Sequence, residues 1–406
     1  MQFLTLQALL GLSLTTVLSS ADTRILVKPV SKDNSDNCEC YLLSGSDAGY
    51  FQHHRFYDFR SIASDADNDY TTAPPLITNI EKAGGQEITS AHLNSTAFQK
   101  DWTIVNAVEN AHSSVLSVKS AANVYISRNT SAQARNSTYL TLRATRLMDF
   151  VSIAELNNNQ KNILHSSIRA RMRVIPNGLA GTSAPMTETP TIDKTTASSN
   201  PPHSVDPGAV FGLFTYQSDV QESDIEILTL DPVTHVRYSN HPDFNARTGP
   251  VPGASTDTSL PDGAVWTEWL DYRLDWFDHI SRWYVNGQIQ LEKSLNVPKT
   301  PSGLILNLWG DGGQWSGNMT VGGQVVAGVE WIEMVFNVSG GLGSSKRRDR
   351  RVCQVGCNVD GVKNVGFPEV AYNATGSDAV RVSPGCGLVS VVCVAITVLT
   401  MIGGII

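Results

Sequence analysis

The sequence is short of charge. Asp, Glu, Lys and Arg make up 17% of its 406 residues, below the usual quarter. Positive charge is in the minority, because 30 basic against 38 acidic side chains leave a net −8. That balance argues against nucleic acid as a partner. The nine His include no close-spaced metal pair. There is no Gly-rich phosphate loop, no nucleophile elbow of a Ser/His/Asp hydrolase and no zinc-binding helix motif. No convincing amphipathic helix pattern occurs outside the segment 22–101. Cysteine is scarce, with six residues in all.

What remains is 41% hydrophobic, ample for a core, and rich in Gly, Ser, Thr and Asn. Short apolar runs recur: Val115–Lys119, Val124–Ile126, Tyr139–Ala144, Ala209–Thr215, Leu304–Trp309 and, as the last strand, Trp331–Asn337. Ile168–Val174 alternates strictly, with Arg169, Arg171 and Arg173 on the polar face, where they are expected to be solvated. Trp269–Trp276 and Ile280–Val285 form a hairpin, and Asn286-Gly287 turns tightly into Gln288–Leu291. Sequential strands and turns predict an all-β fold, an antiparallel β-sandwich. The loop 177–208 is rich in Ser, Thr and Pro and has no apolar periodicity.

The two ends read as targeting segments. Residues 1–21 resemble a signal peptide, apolar from Leu4 to Leu18 and closing on Ser19-Ser20-Ala21. Six acceptor sequons follow, at Asn94, Asn129, Asn136, Asn318, Asn337 and Asn373, expected on surface loops of a secreted chain. Within 377–406, Gly387–Ile406 is an uncharged apolar terminus behind the small residues Gly376-Ser377-Asp378 and a short polar spacer. This is the pattern of a glycosylphosphatidylinositol signal, the alternative being a retained membrane span. The expectation is a secreted, cell-surface protein touching membrane only through that anchor. Between the ends lie the main β-rich domain over 22–345, entry segment included, and an extension over 346–376, with KRRDRR at 346–351 read as a linker. Cys386 and Cys393 belong to the tail. Cys38 and Cys40 are too close to pair with each other and are expected to bridge to Cys353 and Cys357, in an order that spacing does not give.

One strand stands out. In VQESDIEILTL, Glu222, Asp224 and Glu226 alternate with Ser223, Ile225 and Ile227. A strand sends successive side chains to opposite faces, so the acids share one face. Like charges side by side repel, and that cost needs a reason. The Cα atoms of Glu222 and Glu226 lie roughly 13 Å apart on an extended strand. Long side chains on a concave face can converge toward the spacing of a retaining glycosidase. One carboxylate would attack, another would give and take a proton, and Asp224 between them would separate their protonation states. The same pattern also suits an exposed acidic strand or a calcium-binding patch.

At these residues the chain resembles a known family. ESDIE is similar to the catalytic Glu-x-Asp-x-Glu strand of glycoside hydrolase family 16, and the likeness runs from about Tyr139 to Asn337. SSIRARMRV, AVFGLFTY, RYSNHP, YRLDW, ISRWYVNGQ and LILNLWGDGGQW look like its neighbouring strands, in a fungal secreted branch. The resemblance implies a jelly roll of the concanavalin A-like lectin/glucanase kind. It implies Glu222 as nucleophile, Asp224 as assisting acid and Glu226 as acid/base, on a strand of the regular, unbulged form. Ser223 stands where the family has an apolar residue, which puts the substrate subsite beside the nucleophile in question. Trp309 and Trp315 are expected to stack on sugar and Asn240 to bind a hydroxyl, whereas Trp266, Trp269, Trp276 and Trp283 read mainly as core. The expected partner is a β-glucan polysaccharide and the expected state a monomer. No catalytic metal or cofactor is called for, and a structural calcium is left open. A wall-remodelling transglycosylase of the same fold and a non-catalytic sugar-binding protein are the rivals.

Overall fold

The structure, a computed structural model, describes residues 38–44, 49–62, 73–76, 78–80, 87–108, 115–129, 137–177, 204–340 and 353–373. The two targeting segments, most of the loop 177–208, the sequon at Asn136 and the basic run lie outside them. In chain order the strands are β1 (Cys40–Leu42), β2 (Tyr50–Phe51), β3 (His53–Asp58), β4 (Trp102–Ile104), β5 (Ala107–Val108), β6 (Leu116–Lys119), β7 (Val124–Arg128), β8 (Thr138–Arg146), β9 (Phe150–Asn158), β10 (Ile163–Ile175), β11 (Val210–Ser218) and β12 (Gln221–Leu228). They continue as β13 (His235–Asn240), β14 (Phe244–Asn245), β15 (Gly249–Pro250), β16 (Ser255–Ser259), β17 (Leu270–Trp276), β18 (Ser281–Val285), β19 (Gln288–Lys293), β20 (Gly303–Trp309), β21 (Gln324–Val338), β22 (Val355–Asn358) and β23 (Glu369–Asn373). One short α-helix, Thr96–Asp101, precedes β4, with the Ser95 side chain accepting from the Phe98 N–H at its start.

The strands form two layers. One layer runs β4-β9-β20-β11-β12-β13-β16. The other runs β19-β18-β17-β10-β21 and continues to β3 and to β8-β7. Their facing apolar rows meet in one core, where Phe211, Leu213, Ile225 and Ile227 of the first layer join Ile168, Met172, Trp276 and Trp283 of the second. The alternation of β10 is what builds its side of that core, since Ile168, Ala170, Met172 and Val174 are all fully buried. The Asn286-Gly287 turn has both residues at positive φ, 49° and 78°, as a two-residue hairpin requires. Trp266, Trp276 and Trp283 are buried core residues.

Four expectations are corrected. Trp331–Asn337 is only the second half of β21, and β22 and β23 follow it. β22 pairs in parallel with β1, and Cys38–Cys357 and Cys40–Cys353 disulfides lock the two segments together. The arginine face of β10 is not solvated. Arg169 meets Asp360 at 2.8 Å, Arg171 meets Asp271 and Glu330 at 2.8 and 2.9 Å, and the Arg173 guanidinium lies over Trp269. Asn129 is buried and not on the surface, and both amide atoms of Asn337 are engaged by Gln52 and Tyr50 backbone groups. Asn94, Asn318 and Asn373 are exposed. Finally, β9 and the polar β16 were not foreseen, and β9 proves to floor one end of the cleft.

Candidate active site

β12 pairs with β13 without a register shift, matching Ser223 to Asn240, Asp224 to Ser239, Ile225 to Tyr238 and Glu226 to Arg237. The strand is regular through the motif. Its apolar side enters the core, so the three acids face away from it, into a cleft of about 1190 Å³. The cleft crosses the strands. Glu155 and Asn157 of β9 lie at one end, with Lys119 and Lys161 beside them. Arg237, His241, Asp243 and Phe244 lie at the other.

The pairing aligns side chains in rows across the floor. Glu155, Asn307, Gly212, Glu226 and Arg237 form one row. A Cβ at Gly212 would stand 2.7 Å from Asn307 Oδ1, so glycine keeps the floor open beside Glu226. Glu155 is fixed by Lys119 at 2.6 Å and by the Asn157 amide at 3.1 Å. The side-chain oxygens of Asn157 and Asn307 are buried and accept no hydrogen bond among the described residues.

Each acid has its own surroundings. Trp315 Nε1 donates to Glu226 Oε2 at 3.1 Å, while the Arg237 guanidinium lies over the Trp315 ring at 4.7 Å. Arg237 is held in turn by Asp231 through two hydrogen bonds of 2.7 and 3.0 Å. Burial pushes the Glu226 carboxyl up to about 7, against the pull of His241 and of the Trp315 hydrogen bond. Asp224 is 2% exposed, and its Oδ2 lies 2.8 Å from His241 Nε2. The other nitrogen of His241, Nδ1, faces Asp243 at 3.4 Å. Burial, with the nearby Glu226 charge, raises Asp224 well above the ordinary carboxyl range. Glu222 is raised as well, by burial first and then by Asp224. Three such carboxyls cannot all be ionised at neutral pH, and at least one proton is shared within the cluster.

Of the sequence candidates, the structure brings Glu222, Glu226, Trp309 and Trp315 to the cleft lining, with Asp224 beneath them. Asn240 is not there. It is fully buried on the core side, where its Oδ1 accepts from Ser223 Oγ at 2.7 Å and its amide donates to the Leu295 carbonyl at 2.9 Å. Breaking that pair to bind sugar would cost roughly 1–3 kcal/mol per orphaned group. Ser223 likewise faces the core and borders no subsite. His241 takes the place expected of Asn240, one residue on. The register that sets Asn240 opposite Ser223 turns both to the inward face and leaves His241 outward. Glu155, Asn157 and Phe244 carried no local signal, and Asn307 lay in the stretch LILNLWGDGGQW without being singled out. Among the described residues, Glu222, Asp224 and His241 present ligand atoms within 4.8 Å of one another. A ring nitrogen among two carboxylates suits a borderline transition ion, not the all-oxygen shell of calcium.

No family model matches the chain. Among curated proteins it is 30% identical over 137 residues to the β-glucanase of Paenibacillus polymyxa, covering 32% of this chain and 54% of that one. The β-glucanase of Paenibacillus macerans gives the same identity, length and coverage. The chain thus spans about half the length of the curated relatives it matches. Among solved structures it is similar to a Bacillus licheniformis β-glucanase, at 19% identity, 58% of this chain, 92% of that one and a TM-score of 0.41. A β-1,3-1,4-glucanase (lichenase) derived from a mouse hindgut metagenome gives 16%, 70%, 98% and 0.42. The sequence relatives are β-glucanases, in keeping with the resemblance to glycoside hydrolase family 16.

Proposed function

We propose that this chain is a retaining glycosidase of the glycoside hydrolase family 16 type, which cleaves O-glycosidic bonds within β-glucan chains. The observation that carries the reading is the placement of Glu222 and Glu226, from one regular strand, in the lining of a cleft with Asp224 buried between them. Glu222 is the nucleophile and Glu226 the acid/base. Asp224 lies between them and relays the proton. Before the sugar binds, Glu222 and Asp224 share a proton, because burial and their proximity raise both carboxyls. Glu222 passes it to Asp224 and then attacks the anomeric carbon, while Glu226 protonates the departing oxygen. Water, deprotonated by Glu226, then attacks the glycosyl-enzyme, releases the sugar and restores Glu222. Trp309 and Trp315 offer flat faces to sugar rings.

The test is a panel of mixed-linkage glucan, laminarin and other polysaccharides, with product masses read with and without an acceptor oligosaccharide. The parent should release shorter sugars, and Glu222→Gln should lower kcat by at least about 10⁴-fold. Longer or chimeric products in the presence of acceptor would assign the chain to transfer. A parent that binds glucan yet cleaves and transfers none would refute the enzyme reading.

A further inference from the structure

We propose that Phe244 is a platform for a sugar ring of the polymer on the β13 side of the catalytic strand, an inference that rests on the glycosidase reading above. After β13 the chain passes His241 and forms a ribbon of two short strands, β14 and β15, in which Phe244 lies opposite Pro250. The ribbon is pinned. The Val251 N–H donates to the Asp243 carbonyl at 2.7 Å, Asn296 donates to the Pro242 carbonyl at 2.8 Å, and Asn245 Oδ1 accepts the Arg247 N–H at 2.9 Å. On this fixed mount Phe244 is 62% exposed. It packs on no other ring among the described residues and lines the cleft together with Pro250 and Val251.

Isolated exposed apolar residues are ordinary. Phe244 differs in its position, in the lining of the cleft that also takes in Glu222, Glu226, Asp243 and Ser255. A flat apolar face bordered by polar groups fits a pyranose ring, whose faces are apolar and whose rim carries hydroxyls. The ring has few rotatable bonds to freeze, so little entropy is lost when a sugar settles on it. Trp309, on β20, lies on the other side of β12. The polymer is therefore gripped on both sides of the bond to be cut, which commits the site to internal stretches of chain.

The test compares Phe244→Ala, Phe244→Leu and Phe244→Trp with the parent on polymeric β-glucan. Ala and Leu should each raise KM about tenfold with kcat nearly unchanged, and Trp should restore the parental KM. The melting temperature should not move, because the side chain contributes little burial. Binding of the same glucan to Glu222→Gln, with and without Phe244→Ala, is measured by calorimetry and should weaken about tenfold in the double variant. Unchanged KM and affinity in the Ala variant would overturn the platform, as would a Leu variant that binds like the parent. If the parent proves inactive, the calorimetric arm still decides on Phe244, so the two readings fail separately.

Discussion

At the scale of single residues, the chemistry turns on how one carboxyl is held. Glu226 sits near neutrality because burial outweighs the groups that favour its charge, among them the Trp315 indole N–H. An acid must be protonated to act, so turnover should hold below about pH 7 and fall as the pH rises through it. Trp315→Phe keeps a ring under Arg237 but removes the donor that stabilises ionised Glu226. The carboxyl then keeps its proton to higher pH, and the alkaline limb of the kcat profile should move upward. Activity on the plateau should change by no more than about tenfold, the worth of one hydrogen bond. A limb that stays put or moves down would show that Glu226 is not the group being titrated.

At the scale of elements, the outer face of β10 explains why three arginines alternate with its core residues. Asp360, just past β22, takes hydrogen bonds from Arg273 at 3.0 Å and from the Ser44 N–H at 2.7 Å and pairs with Arg169 at 2.8 Å. Burial alone would raise its carboxyl, yet Arg169 and Arg273 hold it below the ordinary value. The stabilisation is therefore present above the ordinary aspartate range and is lost as the pH falls through the depressed value. Asp360→Asn should cost about 3 kcal/mol at neutral pH, because it leaves two half-buried guanidiniums short of an anion. Denaturant titration at several pH values checks this, and the gap from the parent should close in acid. The arginine row is visible in the sequence, but its partners lie about 100 to 190 residues away, a separation that no local pattern reports.

For the whole molecule, the two disulfides join segments 313 and 319 residues apart, closing almost the entire described chain into a loop. Replacing Cys40 and Cys353 together by Ser should lower stability by about 2–5 kcal/mol, read as a lower melting temperature. None of the four cysteines lines the cleft. Activity at low temperature should therefore survive the change, and its loss would mean that the closure also shapes the site.

The sequence alone determined what obeys a local period or a chemical type. Alternation fixed which face of β12 carries acid and which face of β10 enters the core, because strand geometry permits one answer. Asn286-Gly287 fixed a hairpin because both positions need positive φ, and Cys38 and Cys40, too close to pair with each other, pointed to Cys353 and Cys357 as partners though not to the order. Only the tertiary structure decided which strands lie beside the acids. It set Asn240 inward against Ser223 and His241 outward against Asp224, brought Glu155 and Asn157 from β9, and hung Phe244 over the cleft. These positions follow from strand pairings made between distant segments, where register is chosen by the packing of two whole layers. A strand of alternating acids can be read from its own residues, whereas the cleft around it belongs to its neighbours.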